Sequence, residues 1–144
     1  MDNLEQRHMS AARAEEIMRL YLTEVLANRR FDLIPDFAAD GMIDHTQPLR
    51  GPAALDAHAR GFCTNIPDVE IEVMRIFATD ETSVGIWQWK GTPINHMGMS
   101  ATGNPIYPSI VASIFDIKDD KLVEYRAFVD AVDVRTQIVA PAAG

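Results

Sequence analysis

Asp44-His45 places a carboxylic acid and an imidazole side by side. Neighbours on a strand point to opposite faces, so only one of the two can enter a pocket that the strand borders. A carboxylate drawn into an apolar pocket has a raised pKa, which suits it to abstract a proton. An imidazole already titrates near neutral pH and could abstract or shuttle a proton itself. The competing structural reading is a strand end whose polar pair bonds the turn that follows. His58 lies at helical spacing from Leu55 and Phe62. A polar ring on such an apolar stripe needs a partner once buried. It is either an acid or base in a pocket or a core histidine bonded to a backbone carbonyl. His96, in "NHMGM", either lines a pocket mouth or is an ordinary loop histidine.

Trp87 and Trp89 share one face of one strand. Two indoles there either wall a pocket for a flat, apolar ligand or fill a face between two copies of the chain. Tyr21, Tyr107 and Tyr125 each carry a hydroxyl that could donate to a substrate carbonyl, against the plainer role of core packing. Met42, Met74, Met97 and Met99 supply pliable apolar lining or fill core gaps. The four histidines show no HxH, HxxxH or HExxH spacing, so no metal site is expected. Cys63 is the sole cysteine, which excludes an internal disulfide and a cysteine-based zinc site. It reads as a small buried hydrophobe. Gly98 and Gly103 are not followed by Lys-Ser or Lys-Thr, so there is no phosphate loop, and no cofactor is expected.

The surrounding elements must bring these residues together. Ser10 is a candidate N-cap for a helix over 11–28, with Ile17, Leu20, Tyr21 and Val25 at helical spacing. "RRFDLIPDFAAD" predicts a short second helix bent by Pro35, and "GMIDH" a short strand. Pro52 fits the first position of a third helix, "AALDAHARGFCTNI". The period then becomes two, with Val69, Ile71 and Val73 alternating against Glu70 and Glu72. Strands are predicted over "VEIEVMRIFA", "SVGIWQWKG", "PIYPSIVASIFDI" and "KLVEYRAFVDAV", and "DVRTQIVA" closes as a turn or short helix. Segregated helices and a strand meander predict an α+β fold with an antiparallel sheet. A curved sheet covered on one face by three helices makes a cone whose open mouth suits a small molecule.

A chain of 144 residues predicts one domain over 1–144, with frayed ends outside an ordered core at about 10–140. Its net charge of −8 argues against nucleic acid and against an anionic membrane surface. It has no run of about 20 apolar residues. Met1-Asp2-Asn3-Leu4-Glu5 lacks a basic-then-apolar leader. The expectation is a soluble cytoplasmic protein whose partner is an apolar small molecule.

"LRGPAAL" after the first strand, "IPDVEIEV" entering the meander, "GMSATGNPIYPSI" and "DDKLVEYRAFVDAVDV" form an ordered set. The set resembles the nuclear transport factor 2-like superfold and, within it, the SnoaL-like polyketide cyclase family, over residues 11–138. The resemblance implies the cone fold, a long hairpin at the pocket rim, and a homodimer paired through the outer sheet face. It also implies a cofactor-free cyclase or isomerase acting on a polyketide-like molecule in secondary metabolism, such as antibiotic biosynthesis. The cyclases carry their acid/base aspartate in an Arg-Asp-Trp run on the last strand. Here the run reads Arg126-Ala127-Phe128, so that role does not carry over, and the nearest acid, Asp130, matches a position that is often structural. Likeness to ketosteroid isomerases is poor, because Tyr21 matches their tyrosine donor but no acid stands near Ile110.

On this reading Asp44 or His45 moves a proton and His58 is its partner or the acid. Tyr21, Trp87, Trp89, His96, Met99 and Tyr125 contact the substrate. Ring closure directed by pocket shape alone is a variant. The alternatives are a non-catalytic binding or dimerisation domain and an epoxide hydrolase-like or dehydratase activity. Epoxide hydrolysis would need an Asp-Arg-Asp set in the pocket.

Overall fold

The computed structural model describes residues 3–97, 99–100 and 103–139. Helix α1 spans Asn3–Arg19, so Ser10 lies inside it instead of capping it. Upstream of Ser10 the helix is carried by the good helix formers Leu4, Glu5, Gln6, Arg7 and Met9, with Glu5 favourably placed in the first turn. Over Leu20–Leu26 the helix widens into π turns, and Ala27 N donates to Leu22 O, five residues back. Tyr21, Leu22, Val25 and Leu26 are all buried there.

A 3-10 turn at Phe31–Leu33 leads into the short helix α2 (Ile34–Phe37), with Pro35 in its first turn, where its missing N–H costs nothing. Strand β1 (Ala38–Asp44) begins three residues before the expected "GMIDH". Helix α3 (Pro52–Asn65) opens on Pro52 as its sequence predicts. Strands β2 (Glu70–Ala78) and β3 (Thr82–Lys90) form a hairpin. A minimal pair, β4 (Asn95–His96) and β5 (Met99–Ser100), precedes β6 (Val111–Lys118), β7 (Lys121–Phe128) and helix α4 (Ala131–Val139). The strand expected from Pro105 starts only at Val111. Pro105 and Pro108 have no ladder donors, and upstream only Ile106 bridges across, to Gly91.

The five-stranded sheet runs β1-β7-β6-β3-β2. Its β2, β3, β6 and β7 neighbours are antiparallel, but β1 joins β7 in parallel, so the sheet is mixed where an antiparallel one was expected. Strand β1 enters from the helical half of the chain and not from a hairpin, which frees it from antiparallel geometry. A bulge between Val73 and Arg75 bends β2 and helps curve the sheet. Helix α1 packs on β2 and β3, and α3 on β1. The contact with β3 needs a glycine. A Cβ on Gly85 would lie 2.8 Å from Met18 Sδ and 2.9 Å from Leu22 Cδ1. Among the described residues no helix covers the outer sheet face, which exposes Met74, Phe77 and Phe128. No helix among the described residues is long and apolar enough to cross a membrane.

Candidate functional site

A cavity of about 570 Å³ opens among the π segment, α3, α4 and the inner faces of β3, β6 and β7. Strand alternation turns Trp87 and Trp89 inward together, and both line it. Phe62 on α3 meets them edge-on, with ring centroids 5.9 and 5.5 Å away. Among the described residues the lining includes no carboxylate, lysine or arginine; its titratable groups are Tyr21, His58, His96 and Tyr125.

At the end of β1 the alternation buries Asp44 and turns His45 outward. Asp44 does not reach the cavity. It lies behind His58, whose Nδ1 donates to Asp44 Oδ2 at 2.9 Å. Thr46 completes the cluster. Its backbone N–H and its hydroxyl donate to Asp44 Oδ1 at 2.9 and 2.6 Å, and its hydroxyl oxygen also lies 2.9 Å from His58 Nδ1. A carboxylate that accepts from Nδ1–H fixes the imidazole tautomer and leaves the Nε2 lone pair for the cavity that His58 lines. Of the pair, His58 is the one that lines the cavity, and Asp44 is buried behind it.

Burial pushes the Asp44 carboxyl upward, but the hydrogen bonds from His58 and Thr46 and the attraction of His58 outweigh it and hold the carboxyl below its ordinary 3.8. A depressed folded-state value means that ionised Asp44 contributes stability above about pH 4, which is lost as pH falls through the folded value. The stability gap between the wild type and Asp44→Asn in urea unfolding should narrow below pH 4. A gap constant from pH 6 to pH 3 would contradict this account.

His45 is a correction to the sequence reading. Its side chain is 40% exposed and its Nε2 lies 3.1 Å from Glu124 Oε1, outside the cavity. An exposed pair of this kind is worth little. His45→Ala should leave activity and melting temperature close to wild type, read by turnover and thermal unfolding.

The tyrosines form a second polar group. Tyr21 and Tyr125 are fully buried, line the cavity and meet edge-on at 5.8 Å between centroids. Their phenols influence each other electrostatically, and Ser113 also acts on Tyr125. Ser113 in turn accepts from Trp87 Nε1 at 3.0 Å. Burial pushes the Tyr125 phenol up to about 12 and Tyr21 well above its ordinary value, so both remain protonated donors. Tyr125 also packs edge-on against His58 at 5.1 Å, next to the acid–base cluster.

Among the methionines, Met97 lines the cavity, Met42 is core, and Met74 is exposed on the outer face. The side chain of Met99, expected to contact substrate, lies outside the described residues, as do Gly98, Ala101 and Thr102 of the quoted hairpin. Tyr107 is exposed and donates to Glu72 Oε2 at 2.7 Å. Arg126 faces outward to Asp116 and Glu124, at 3.6 and 3.7 Å, so it provides no cavity Asp-Arg-Asp set. Asp130 caps α4 through the Asp133 N–H at 3.0 Å. Cys63 is buried and its thiol donates to Leu26 O. No group of three or more His, Cys, Asp or Glu among the described residues could hold a metal ion.

Thr46 and Ser113 were missed in the sequence. Thr46 stands two residues after an aspartate at a strand end, the spacing of a side-chain-bonded turn. Ser113 is the polar exception in the inward phase Val111, Ser113, Phe115, Ile117. Helix α4 was also under-read. Val134 lines the cavity, while Asp133 accepts from Ser109 N and Oγ at 2.7 and 2.9 Å. Gln137 accepts from Tyr107 N at 2.8 Å and donates to Tyr107 O at 3.1 Å. The helix is thus clipped across the mouth onto segment 105–110.

The model of the SnoaL-like polyketide cyclase family matches residues 16–138. The chain belongs to this family. No curated protein matches the SnoaL-like chain in sequence. Solved structures match its fold. TsrD from Streptomyces laurentii superposes with a TM-score of 0.79 at 16% identity, over 90% of this chain and 97% of that one. A SnoaL-like polyketide cyclase from Agrobacterium tumefaciens gives 0.73 at 17%, over 86% and 97%. An M. tuberculosis LEH-like epoxide hydrolase gives 0.66 at 15%, over 89% and 90%. At such identities the likeness establishes the SnoaL-like fold and leaves the reaction to the site. Ala127 lines the cavity with a methyl group.

Proposed function

We propose that the chain is a cofactor-free cyclase or isomerase acting on an apolar, oxygenated, polyketide-like small molecule. The observation that carries this reading is the cavity-lining imidazole of His58 backed by the buried Asp44 carboxylate, in an apolar chamber with no competing carboxylate among its described lining residues. His58 Nε2 removes a proton from a carbon next to a substrate carbonyl. The C–H electron pair moves onto the carbonyl oxygen as an enolate, which accepts a hydrogen bond from Tyr125. In an isomerisation the imidazolium returns the proton to another carbon. In a cyclisation the enolate carbon bonds a second carbonyl carbon of the same molecule, and the imidazolium protonates the alkoxide formed. Asp44 stabilises the imidazolium between the two steps.

The test is hydrogen–deuterium exchange of 2-tetralone, a flat bicyclic ketone, followed by proton NMR in D2O. Enzyme-dependent loss of the α-proton signal that disappears in His58→Phe supports the reading. Binding of the ketone with no exchange above buffer would favour the non-catalytic binding domain or shape-directed closure instead. An epoxide hydrolase-like activity is not favoured, because the described lining of the cavity holds no carboxylate to activate water.

The exposed apolar residues Met74, Phe77 and Phe128 on the helix-free sheet face support a homodimer paired through that face. Sedimentation at the monomer mass would remove this proposal. The family name and the cavity's character support a cytoplasmic role in secondary metabolism, such as antibiotic biosynthesis. An unchanged set of oxygenated polyketides in a host lacking the protein would count against it.

A further inference from the structure

One cavity group has no part in the proton transfer above. His96, on β4, packs edge-on against Trp89 at 5.6 Å and against Phe62 at 6.0 Å between centroids. It lines the cavity, and its ring nitrogens have no hydrogen-bond partner among the described residues. Phe62 follows His58 by four residues on α3, so the two occupy one helix face a turn apart. Phe62 thus touches His96 and lies one helical turn from His58, and the indoles of Trp87 and Trp89 form the wall alongside it.

We propose that His96 is a second polar pole of the site, which holds a neutral oxygen at the end of the ligand remote from His58. The preferred ligand is then a flat fused-ring molecule with phenol, enol or ketone oxygens at both ends. The chemistry of the lining restricts the choice in three ways. The aromatic side chains of Phe62, Trp87 and Trp89, packed edge-on into one wall, favour an aromatic ring system over a charged or aliphatic one. The described lining has no lysine, arginine or carboxylate, so a charged ligand would enter without a counterion. Burial lowers the basicity of His96, so it presents one N–H and one lone pair and can serve either a phenol or a ketone. This proposal rests on the reading of the cavity as a substrate site, but not on His58 being a base.

The experiment is calorimetric titration with naphthalene-2,6-diol, oxygenated at both ends, and with 2-naphthol, oxygenated at one. The wild type should bind the diol about fivefold to tenfold more tightly. His96→Phe, which keeps an aromatic ring, should bring the two affinities to within about twofold by removing that hydrogen bond. His96→Gln, which keeps a donor and an acceptor, should restore part of the preference. A diol preference undiminished in His96→Phe overturns the proposal, as does the absence of binding by either naphthol. Ketone exchange reads His58 separately. If exchange fails but the diol preference depends on His96, the second pole stands and the proton-transfer reading falls.

Discussion

His58→Phe should lower proton exchange on a bound ketone by roughly a thousandfold, the middle of the range for removing a general base. Phenylalanine keeps the edge contact with Tyr125 and the packing of α3, so ligand affinity should change only a few-fold. Asp44→Asn tests the same cluster from behind. An asparagine oxygen is a weaker acceptor, and a flipped side chain would donate its amide N–H to Nδ1, placing the ring proton on Nε2. Loss on the order of a hundredfold or more is expected, because the imidazole then offers the cavity the wrong tautomer and its charged form loses its partner. A His58→Phe protein that retains a tenth of the wild-type exchange rate would exclude the assignment.

The second large effect is on stability and comes from the turn that joins the two halves of the cluster. Gly51 precedes α3 with φ 74° and ψ −165°, a region essentially restricted to glycine. A Cβ there would stand 2.4 Å from the backbone oxygen of Asp40. The Gly51 N–H donates to Met42 O at 2.8 Å, so the turn is fastened to the middle of β1 and cannot easily retreat. Gly51→Ala should cost roughly 3 kcal/mol from strain and overlap together. For a chain of this size that is a fall of about 10 °C in melting temperature. Gly41→Ala on the same strand is the control, since nothing lies within 4 Å of its Cβ position and its stability should be nearly unchanged. Equal melting temperatures for the two variants would show that the turn has room to adjust. A folded remnant of Gly51→Ala should also exchange protons more slowly, because Asp44 and His58 lie on opposite sides of this turn.

Much of this site can be read from residue order. His58 stands out as a polar ring on an apolar helical stripe, Trp87 and Trp89 share a strand phase, and alternation requires that only one of Asp44 and His45 turn inward. Which of them does so depends on the register of β1 on β7. That pairing is parallel and long-range, and no local pattern encodes it. The order of Asp44 behind His58 is equally non-local, since it arises from α3 crossing the end of β1. The helix and strand periods predict the architecture well, with errors where chemistry overrides pattern. Apolar alternation through 106–110 suggests a strand that two prolines prevent, and Ser10 resembles a cap although good helix formers continue upstream of it.

The π turns at Leu20–Leu26 have a consequence for how this scaffold can diversify. A π turn holds one more residue than an α turn over nearly the same rise. Deleting a single residue there would return the helix to regular winding while leaving both ends anchored. Such a deletion would swing the side chain at Tyr21 around the axis and deliver a different neighbour to the Tyr125 hydroxyl. Chain length at one helical position thus acts as a dial on the hydrogen-bonding character of the chamber, and it can be turned without altering any strand.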